Sequence, residues 1–177
     1  MLVEKATVGN LRENCYILSL DNKVLVIDPG DEYEKINEVI NNREILGVLI
    51  THNHEDHVGA LPYFSENKIY RFDNLKEGNV TIGPFTFEVI FTPGHTDDCV
   101  TYYFVDDNVM FTGDFLFKET IGRTDLPKGN IEDMIESLNK IVKYPNAVIY
   151  PGHGKSTTLD YEKENNEFIL YYTKGSD

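Results

Sequence analysis

The sequence reads GVLITHNHEDH at residues 47–57, an apolar run that ends in three histidines within six positions. In an extended segment, residues two apart face the same side, so His52 and His54 can bind one metal ion together. A helix that begins after them would turn Asp56 and His57 in another direction, where they can bind a second ion. The stretch therefore predicts a two-metal site at the end of a buried strand.

The two remaining histidines and one aspartate occupy similar positions. His95 comes shortly after the apolar run FEVIF, Asp114 after VMF and His153 after AVIY, and a glycine lies just before each group. Strands of an open sheet often present ligand-binding side chains at their carboxyl ends, and glycine permits tight turns near such a site. Histidine with carboxylate is a ligand set for zinc, iron and manganese. We therefore expect one cluster made by His52, His54, Asp56, His57, His95, Asp114 and His153.

The expected cofactor is a pair of divalent metal ions, with zinc favoured and iron or manganese also suited to these ligands. Asp114 has two carboxylate oxygens and can bridge the two ions. Two metals roughly 3.5–4 Å apart can hold a shared water, and zinc lowers the pKa of its water to about 7. We assign catalytic roles to Asp114, as the bridge, and to Asp56, which can take a proton during the reaction.

The composition is that of an ordinary globular protein, and its 177 residues predict one domain over residues 1–177. The 16 basic and 30 acidic residues give a formal net charge of −14. This charge disfavours nucleic acids and anionic membranes as partners, so we expect a small-molecule substrate. The chain does not start with a basic segment followed by an apolar one, which favours a cytoplasmic protein. Cys15 and Cys99 lie in apolar runs and are predicted to be buried and unpaired.

Hydrophobic periodicity predicts short strands with a few helices between them. The predicted strands include residues 15–20, 23–28, 85–91, 99–105 and 108–112. Helices are predicted over residues 32–42, 58–66, 131–143 and 159–172, with Asn130 as the N-cap of the third. This order favours sheets covered by helices but does not fix the order of the strands.

Two charged residues each allow two interpretations. Asp28 ends the strand-like run VLVID and either orients a metal-binding histidine or caps the following turn. Arg123 either pairs with Asp125 or binds an anionic substrate at the mouth of the site. We include Arg123 as the candidate substrate-binding residue.

The motifs HxHxDH, PGHT, TGD and PGHG between positions 52 and 154 resemble those of the metallo-β-lactamase superfamily. The stretch GRTDLP at 122–127 is similar to small single-domain proteins of the hydroxyacylglutathione hydrolase (glyoxalase II) type. The resemblance implies an α/β fold, the four-layer αββα sandwich. It also implies that one metal is held by His52, His54 and His95 and the other by Asp56, His57 and His153, with Asp114 bridging them.

The resemblance implies hydrolysis of a thioester or related ester by a metal-bridging hydroxide. The alternative is an oxidoreductase similar to persulfide dioxygenases, which use a single iron on two histidines and an aspartate; the complete second ligand set, with His153, favours the hydrolase. Superfamily nucleases are larger and need basic surfaces, and Asp114 departs from many β-lactamases, which place a cysteine near this role, so neither activity is expected. The sequence after His153 leaves no room for the helical domain that grips glutathione in full-length glyoxalase II, so the resemblance does not decide whether glutathione is part of the substrate.

Overall fold

The computed structural model of the protein describes residues 1–173. Its first sheet has five strands in the order β1-β2-β3-β4-β5. These are β1 (Leu2–Val8), β2 (Glu13–Leu20), β3 (Lys23–Ile27), β4 (Glu44–Leu49) and β5 (Ile69–Tyr70). The first three strands pair antiparallel, and β4 then joins β3 in parallel, as β5 joins β4. The parallel half of this sheet leads into the HNHEDH segment.

The second sheet has six strands in the order β13-β12-β9-β8-β7-β6. In chain order the remaining strands are β6 (Gly78–Ile82), β7 (Phe85–Phe91), β8 (Val100–Phe104), β9 (Val109–Gly113), β10 (Leu116–Phe117), β11 (Thr120–Ile121), β12 (Val148–Pro151) and β13 (Thr157–Thr158). Strands β10 and β11 form a separate two-stranded ribbon. Because β7 to β9 alternate in direction and β12 is parallel to β9, strands β7, β9 and β12 all finish at the same end of the sheet.

Five α-helices accompany the sheets. They are α1 (Tyr33–Ile40), α2 (Glu55–Val58), α3 (Ile131–Ile141), α4 (Leu159–Asn165) and α5 (Glu167–Thr173). Helix α3 begins at the predicted N-cap, where the Asn130 side chain accepts a hydrogen bond from the backbone N–H of Asp133 at 3.0 Å. Within residues 1–173, no helix has the length and apolar character needed to cross a membrane.

Three apolar clusters hold the layers together. The cluster between the sheets includes Tyr16, Leu18, Phe85, Phe87, Tyr102 and Phe111. On the outer face of the first sheet, Ile36 and Ile40 of α1 pack with β2 and β3. On the outer face of the second sheet, α3, α4 and α5 pack against β8, β9 and β12. The order helix, sheet, sheet, helix confirms the four-layer αββα sandwich.

Strand β2 shows how the sequence produces this arrangement. Successive residues of a strand point to opposite faces. Tyr16 and Leu18 accordingly enter the cluster between the sheets, while Cys15 and Ile17 face the helix layer. Both cysteines are free and buried, as predicted. The strand is apolar on both faces because both of its faces are covered.

Three expectations about secondary structure differ from the structure. Residues 58–66 contain 3-10 turns at Leu61–Tyr63 and Glu66–Lys68, and the helix in this region is α2, which starts earlier. The predicted helix 159–172 is broken at Asn166, whose side-chain oxygen accepts a hydrogen bond from the backbone N–H of Phe168 and starts α5. Strand β1 was not predicted. It is an edge strand whose residues are largely exposed or half-buried, so its apolar pattern is weak.

Truncation of the inter-sheet core tests its contribution to stability. We expect Phe87→Ala to lower the free energy of unfolding by about 3–5 kcal/mol, because it removes a buried ring and leaves a cavity. The Phe87 ring lies 5.8 Å from the Tyr102 ring and 5.1 Å from the Phe104 ring, so the cavity would open between these aromatics. The control is Tyr171→Ala, at a side chain that is 79% exposed. Urea denaturation followed by circular dichroism measures the free energy of unfolding of both variants. Equal decreases in the two variants would contradict the assignment of Phe87 to the core.

Candidate metal centre

The candidate site residues meet at one end of the sandwich, where strands of both sheets finish. Strand β4 of the first sheet leads through Thr51 to His52, while β7, β9 and β12 of the second sheet lead to His95, Asp114 and His153. Polar residues after apolar runs are typical of the carboxyl edge of a single open sheet. The structure instead divides them between two facing sheets, so the centre lies across the opening between the sheets.

Three imidazole nitrogens converge in the first half of the centre. His54 Nδ1 lies 3.1 Å from His52 Nε2 and 3.0 Å from His95 Nε2. Burial lowers the pKa of His52 well below its usual value, and burial together with the neighbouring His95 lowers the pKa of His54. The His54 nitrogen therefore lies within hydrogen-bond distance of the other two ring nitrogens at this point. A cation between the three nitrogens would accept their lone pairs.

The second half of the centre contains Asp56, His57 and His153. Asp56 Oδ2 lies 3.1 Å from His153 Nε2 and 3.7 Å from His57 Nε2. The hydrogen bond from His153 lowers the pKa of Asp56, which keeps this carboxylate ionised. One ligand atom from each of the three residues lies within 4.8 Å of the other two, close enough for them to share an ion.

Asp114 lies between the two halves. Its Oδ1 is 3.3 Å from His57 Nε2, and its Oδ2 is 3.5 Å from His153 Nε2 and 3.7 Å from His95 Nε2. Burial raises the pKa of Asp114, but the nearby His57 outweighs this effect and lowers the pKa below its ordinary value. An ionised carboxylate that faces both halves has the position a bridging ligand needs.

The local backbone explains why adjacent residues serve different halves. His54 has an extended conformation, with φ −69° and ψ 146°, directly before α2 begins at Glu55. His52 and His54 therefore point the same way, whereas Asp56 and His57 lie on the first helical turn. The structure thus brings the two pairs together as the sequence argument expected, with α2 supplying the change of direction.

Asp28 orients His57 from behind. Its Oδ2 accepts a hydrogen bond from His57 Nδ1 at 2.9 Å and one from the Thr51 hydroxyl at 2.6 Å, and its Oδ1 accepts from the Thr51 backbone N–H at 2.7 Å. Burial lowers the pKa of His57, but the carboxylates of Asp28 and Asp114 outweigh burial and raise it well above its usual value. Of the two interpretations of Asp28, the structure favours the one in which it orients a site histidine.

Two other site histidines are oriented by backbone carbonyls that sequence reasoning missed. His95 Nδ1 donates to the carbonyl oxygen of Arg123 at 2.8 Å, and His153 Nδ1 donates to that of Leu11 at 3.1 Å. Each bond leaves Nε2 directed at the centre. The Arg123 guanidinium itself makes two hydrogen bonds to Asp125, at 2.9 and 3.0 Å. Any residue type supplies a carbonyl, so no sequence signal marked these contacts.

The unpartnered groups at the centre fit bound cations. His57 Nε2 and Asp114 Oδ1 are buried, and neither meets a partner with hydrogen-bond geometry among residues 1–173. Buried polar atoms without partners are costly, and a metal ion would satisfy both. Gly152 keeps the space open, since a Cβ there would lie 2.4 Å from Asp114 Oδ1 and 2.6 Å from His57 Cε1. Imidazole and carboxylate together suit zinc, iron or manganese.

A further buried carboxylate, Glu13, lies behind the second half and was missed by the sequence analysis. Its Oε1 is 4.0 Å from His57 Nδ1, and its side chain is 1% exposed. Burial raises the pKa of Glu13 well above the usual value. Glu13 opens strand β2 and pairs with His153 in an isolated β-bridge, and a single glutamate in that position carries no recognisable motif.

Known proteins resemble this chain in sequence. The sequence pattern of the metallo-beta-lactamase superfamily matches residues 8–72 and 71–153. The "Probable metallo-hydrolase YqgX" of Bacillus subtilis (strain 168) is 34% identical, and the alignment covers 92% of this chain and 94% of the relative. The "Hydroxyacylglutathione hydrolase GloC" of Haemophilus influenzae (strain ATCC 51907 / DSM 11121 / KW20 / Rd) is 31% identical, and the alignment covers 96% of this chain and 98% of the relative.

Solved structures resemble the chain over nearly its whole length. BLEG-1, titled a B3 metallo-beta-lactamase, has a TM-score of 0.89 at 29% identity and covers 95% of this chain and 99% of its own. TTHA1623 in a di-iron-bound form has a TM-score of 0.85 at 31% identity, and the match covers 94% of this chain and 100% of its own. ETHE1 from Myxococcus xanthus has a TM-score of 0.85 at 25% identity, and the match covers 100% of this chain and 92% of its own. By family pattern, sequence identity and fold, the protein belongs to the metallo-beta-lactamase superfamily.

Proposed function

We propose that the protein is a metal-dependent hydrolase that cleaves a thioester of a small hydroxyacyl group. The observation that carries the proposal is the position of Asp114, whose two oxygens face both halves of a complete donor set. Two cations at such a centre would polarise a carbonyl and make water nucleophilic near neutral pH. The relative named as a hydroxyacylglutathione hydrolase supports a thioester as the bond that is cleaved.

The exposure of the site residues indicates the side from which a substrate approaches. His52 and His57 are buried to 1% exposure or less, and they form the floor. The side chains of Asp56 and His153 are 24% and 26% exposed, so they face the mouth. This exposure supports the proposal that Asp56 takes a proton at the open side and that Asp114, with a 12% exposed side chain, bridges the two halves.

We propose two divalent metal ions as the cofactor, with zinc as the first expectation. Imidazole and carboxylate ligands also suit iron and manganese. The neighbour TTHA1623 is titled as a di-iron form, which makes iron the main competitor to zinc here. The net charge of −14 supports a small-molecule substrate over a nucleic acid.

A second candidate function is an oxidoreductase that uses one iron and oxygen on a sulfur-containing substrate. The likeness in fold to the ETHE1 structure favours this candidate. The geometry favours the hydrolase, because Asp56, His57 and His153 form a second ligand group that a one-metal site would not need. The two candidates differ in metal number and in oxygen consumption.

An assay of the metal-loaded protein against four substrates tests the function. We expect hydrolysis of S-lactoylglutathione or of a simpler lactoyl thioester, two metals per chain by elemental analysis, and no oxygen uptake with glutathione persulfide. Nitrocefin belongs in the panel because BLEG-1 is titled a β-lactamase. His54→Ala and Asp114→Asn should each reduce kcat/KM by at least about 100-fold and lower the metal content, since each removes a ligand.

The matched control for these variants is Asp97→Asn, at an exposed carboxylate whose ion-pair partner is Lys128. This variant should keep both its metal and its activity. Thioester hydrolysis that survives in His54→Ala, or oxygen uptake by a protein with one iron per chain, would reject the proposed function.

Asp28→Asn tests the support behind His57. The amide keeps the size of the side chain but has one acceptor oxygen in place of two, so it cannot accept from both the Thr51 backbone N–H and His57 Nδ1 as Asp28 does. We expect metal affinity to fall about 10- to 100-fold, the usual effect of removing an outer partner of a ligand histidine. Competition with a chromogenic chelator measures the affinity, and an unchanged value would show that Asp28 does not support metal binding.

Arg123→Ala tests whether the side chain of Arg123 binds substrate, separately from the contact that its backbone carbonyl makes with His95. The substitution leaves the backbone contact to His95 in place, so metal content should not change. We expect KM for an anionic thioester to rise by about two- to fivefold with less effect on kcat, because one exposed charge is lost. Asp125→Ala, which frees the guanidinium, should lower KM. Changes in KM of the same sign in both variants would contradict this role.

A further inference from the structure

A cavity of about 460 Å³ opens beside His153, between the β1–β2 hairpin and the loop that follows β12. Its walls include Lys5, Arg12 and Lys155, together with Asn14 and the ligand candidate His153. No carboxylate is among the lining residues that the structure describes. In a chain with a net charge of −14, three cations around one cavity are a local reversal of the surface charge.

These three cations are unneutralised. Eight basic side chains of the described chain form ion pairs with carboxylates, and Lys5, Arg12 and Lys155 are not among them. Within residues 1–173 their side chains also take part in no recorded hydrogen bond or ring contact. All three are exposed, so their charges are available to a ligand from solvent.

The cavity is connected to the metal centre through His153. Leu11 lines the cavity and accepts the Nδ1 hydrogen bond of His153 through its carbonyl, while Nε2 of the same ring lies 3.1 Å from Asp56. Asn14 fixes the loop after β12 through its side-chain amide, which donates to the carbonyl of Gly154 at 3.1 Å. The imidazole of His153 therefore belongs to both the wall of the cavity and the metal centre.

The cavity on the other side of Leu11 has the opposite charge. It is lined by Asp31, Glu55 and Asp56, with no lysine or arginine among its described lining residues. An anionic group at the mouth is therefore repelled on one side of the hairpin and attracted on the other. The hairpin separates two environments that a charged substrate would distinguish.

We propose that the cavity formed by Lys5, Arg12 and Lys155 binds an anionic group of the substrate's thiol carrier while the thioester lies at the metal centre. This inference rests on the proposed function and extends it from the bond that is cleaved to the class of carrier. The ligand chemistry is a carboxylate or a phosphate, since lysine and arginine bind both. Selectivity would come from matching an anion to this basic cavity beside an acidic one.

Three lactoyl thioesters of different carriers test the proposal on the metal-loaded protein. Glutathione supplies carboxylates, 4′-phosphopantetheine supplies a phosphate, and N-acetylcysteamine is neutral. In the triple variant Lys5→Gln, Arg12→Gln, Lys155→Gln, we expect kcat/KM for at least one anionic carrier to fall about tenfold relative to the neutral one, the scale of several exposed charge contacts. Which anionic carrier responds identifies carboxylate or phosphate. Added NaCl should weaken the same preference in the wild type.

The matched control is the triple variant Lys23→Gln, Lys76→Gln, Lys143→Gln. It removes the same charge from exposed lysines outside the cavity, so it separates local binding from the general field of the protein. The control should keep the wild-type ratio between anionic and neutral carriers. Equal ratios in both triple variants and the wild type, or equal losses in the two variants, would overturn the proposal.

A binding measurement separates this inference from the proposed function. If no thioester is hydrolysed, the proposed function fails, and calorimetric titration with S-methylglutathione and with phosphopantetheine still tests the cavity. Binding that weakens about tenfold in the first triple variant and not in the control supports an anion site. No binding by the wild type, or the same affinity in all three proteins, overturns it.

Discussion

The buried carboxylate of Asp28 ties together the parts on which the centre depends. It joins the turn after β3, the end of β4 through Thr51 and the start of α2 through His57. A buried carboxyl group must keep its hydrogen bonds, because burying a polar group without partners costs several kcal/mol. These hydrogen bonds fix the positions of the three segments relative to one another, and this arrangement directs His57 Nε2 at Asp114. The sandwich provides rigid walls, and this contact fixes the position of the ligands between them.

The electrostatics of the centre explain why the fold favours cations there. Asp28, Asp56, Asp114 and Glu13 all lie around His57, and a group of carboxylates that is largely shielded from water would repel itself. Imidazoles next to them supply lone pairs and only limited positive charge. Bound divalent ions would neutralise the acids and satisfy the unpartnered nitrogen and oxygen together. The donor set is thus better suited to the loaded protein than to the empty one.

The sequence predicted the parts of the structure that local patterns encode. A continuous apolar run marked β2, and alternating apolar residues marked β7. The five histidines and two aspartates could be proposed as ligands because they follow apolar runs. The division of the strand ends between two sheets was not predictable, since strand order depends on contacts between distant residues. The short helix α2 was placed too late, at 58–66. The hydrogen bonds to the carbonyls of Leu11 and Arg123 could not be predicted from the sequence, because a backbone carbonyl does not depend on the residue type.

The β1–β2 hairpin has a consequence for how enzymes of this architecture diverge. It supports His153 through the main chain of Leu11, so the side chains at positions 11 and 12 are not required for that support. Exposed hairpin tips tolerate substitution and insertion. Substitutions at this tip can therefore change the charge beside the centre while the main-chain support of His153 stays intact. Under the proposed carrier site, duplicated copies of such a gene would diverge in substrate preference through changes in a single turn.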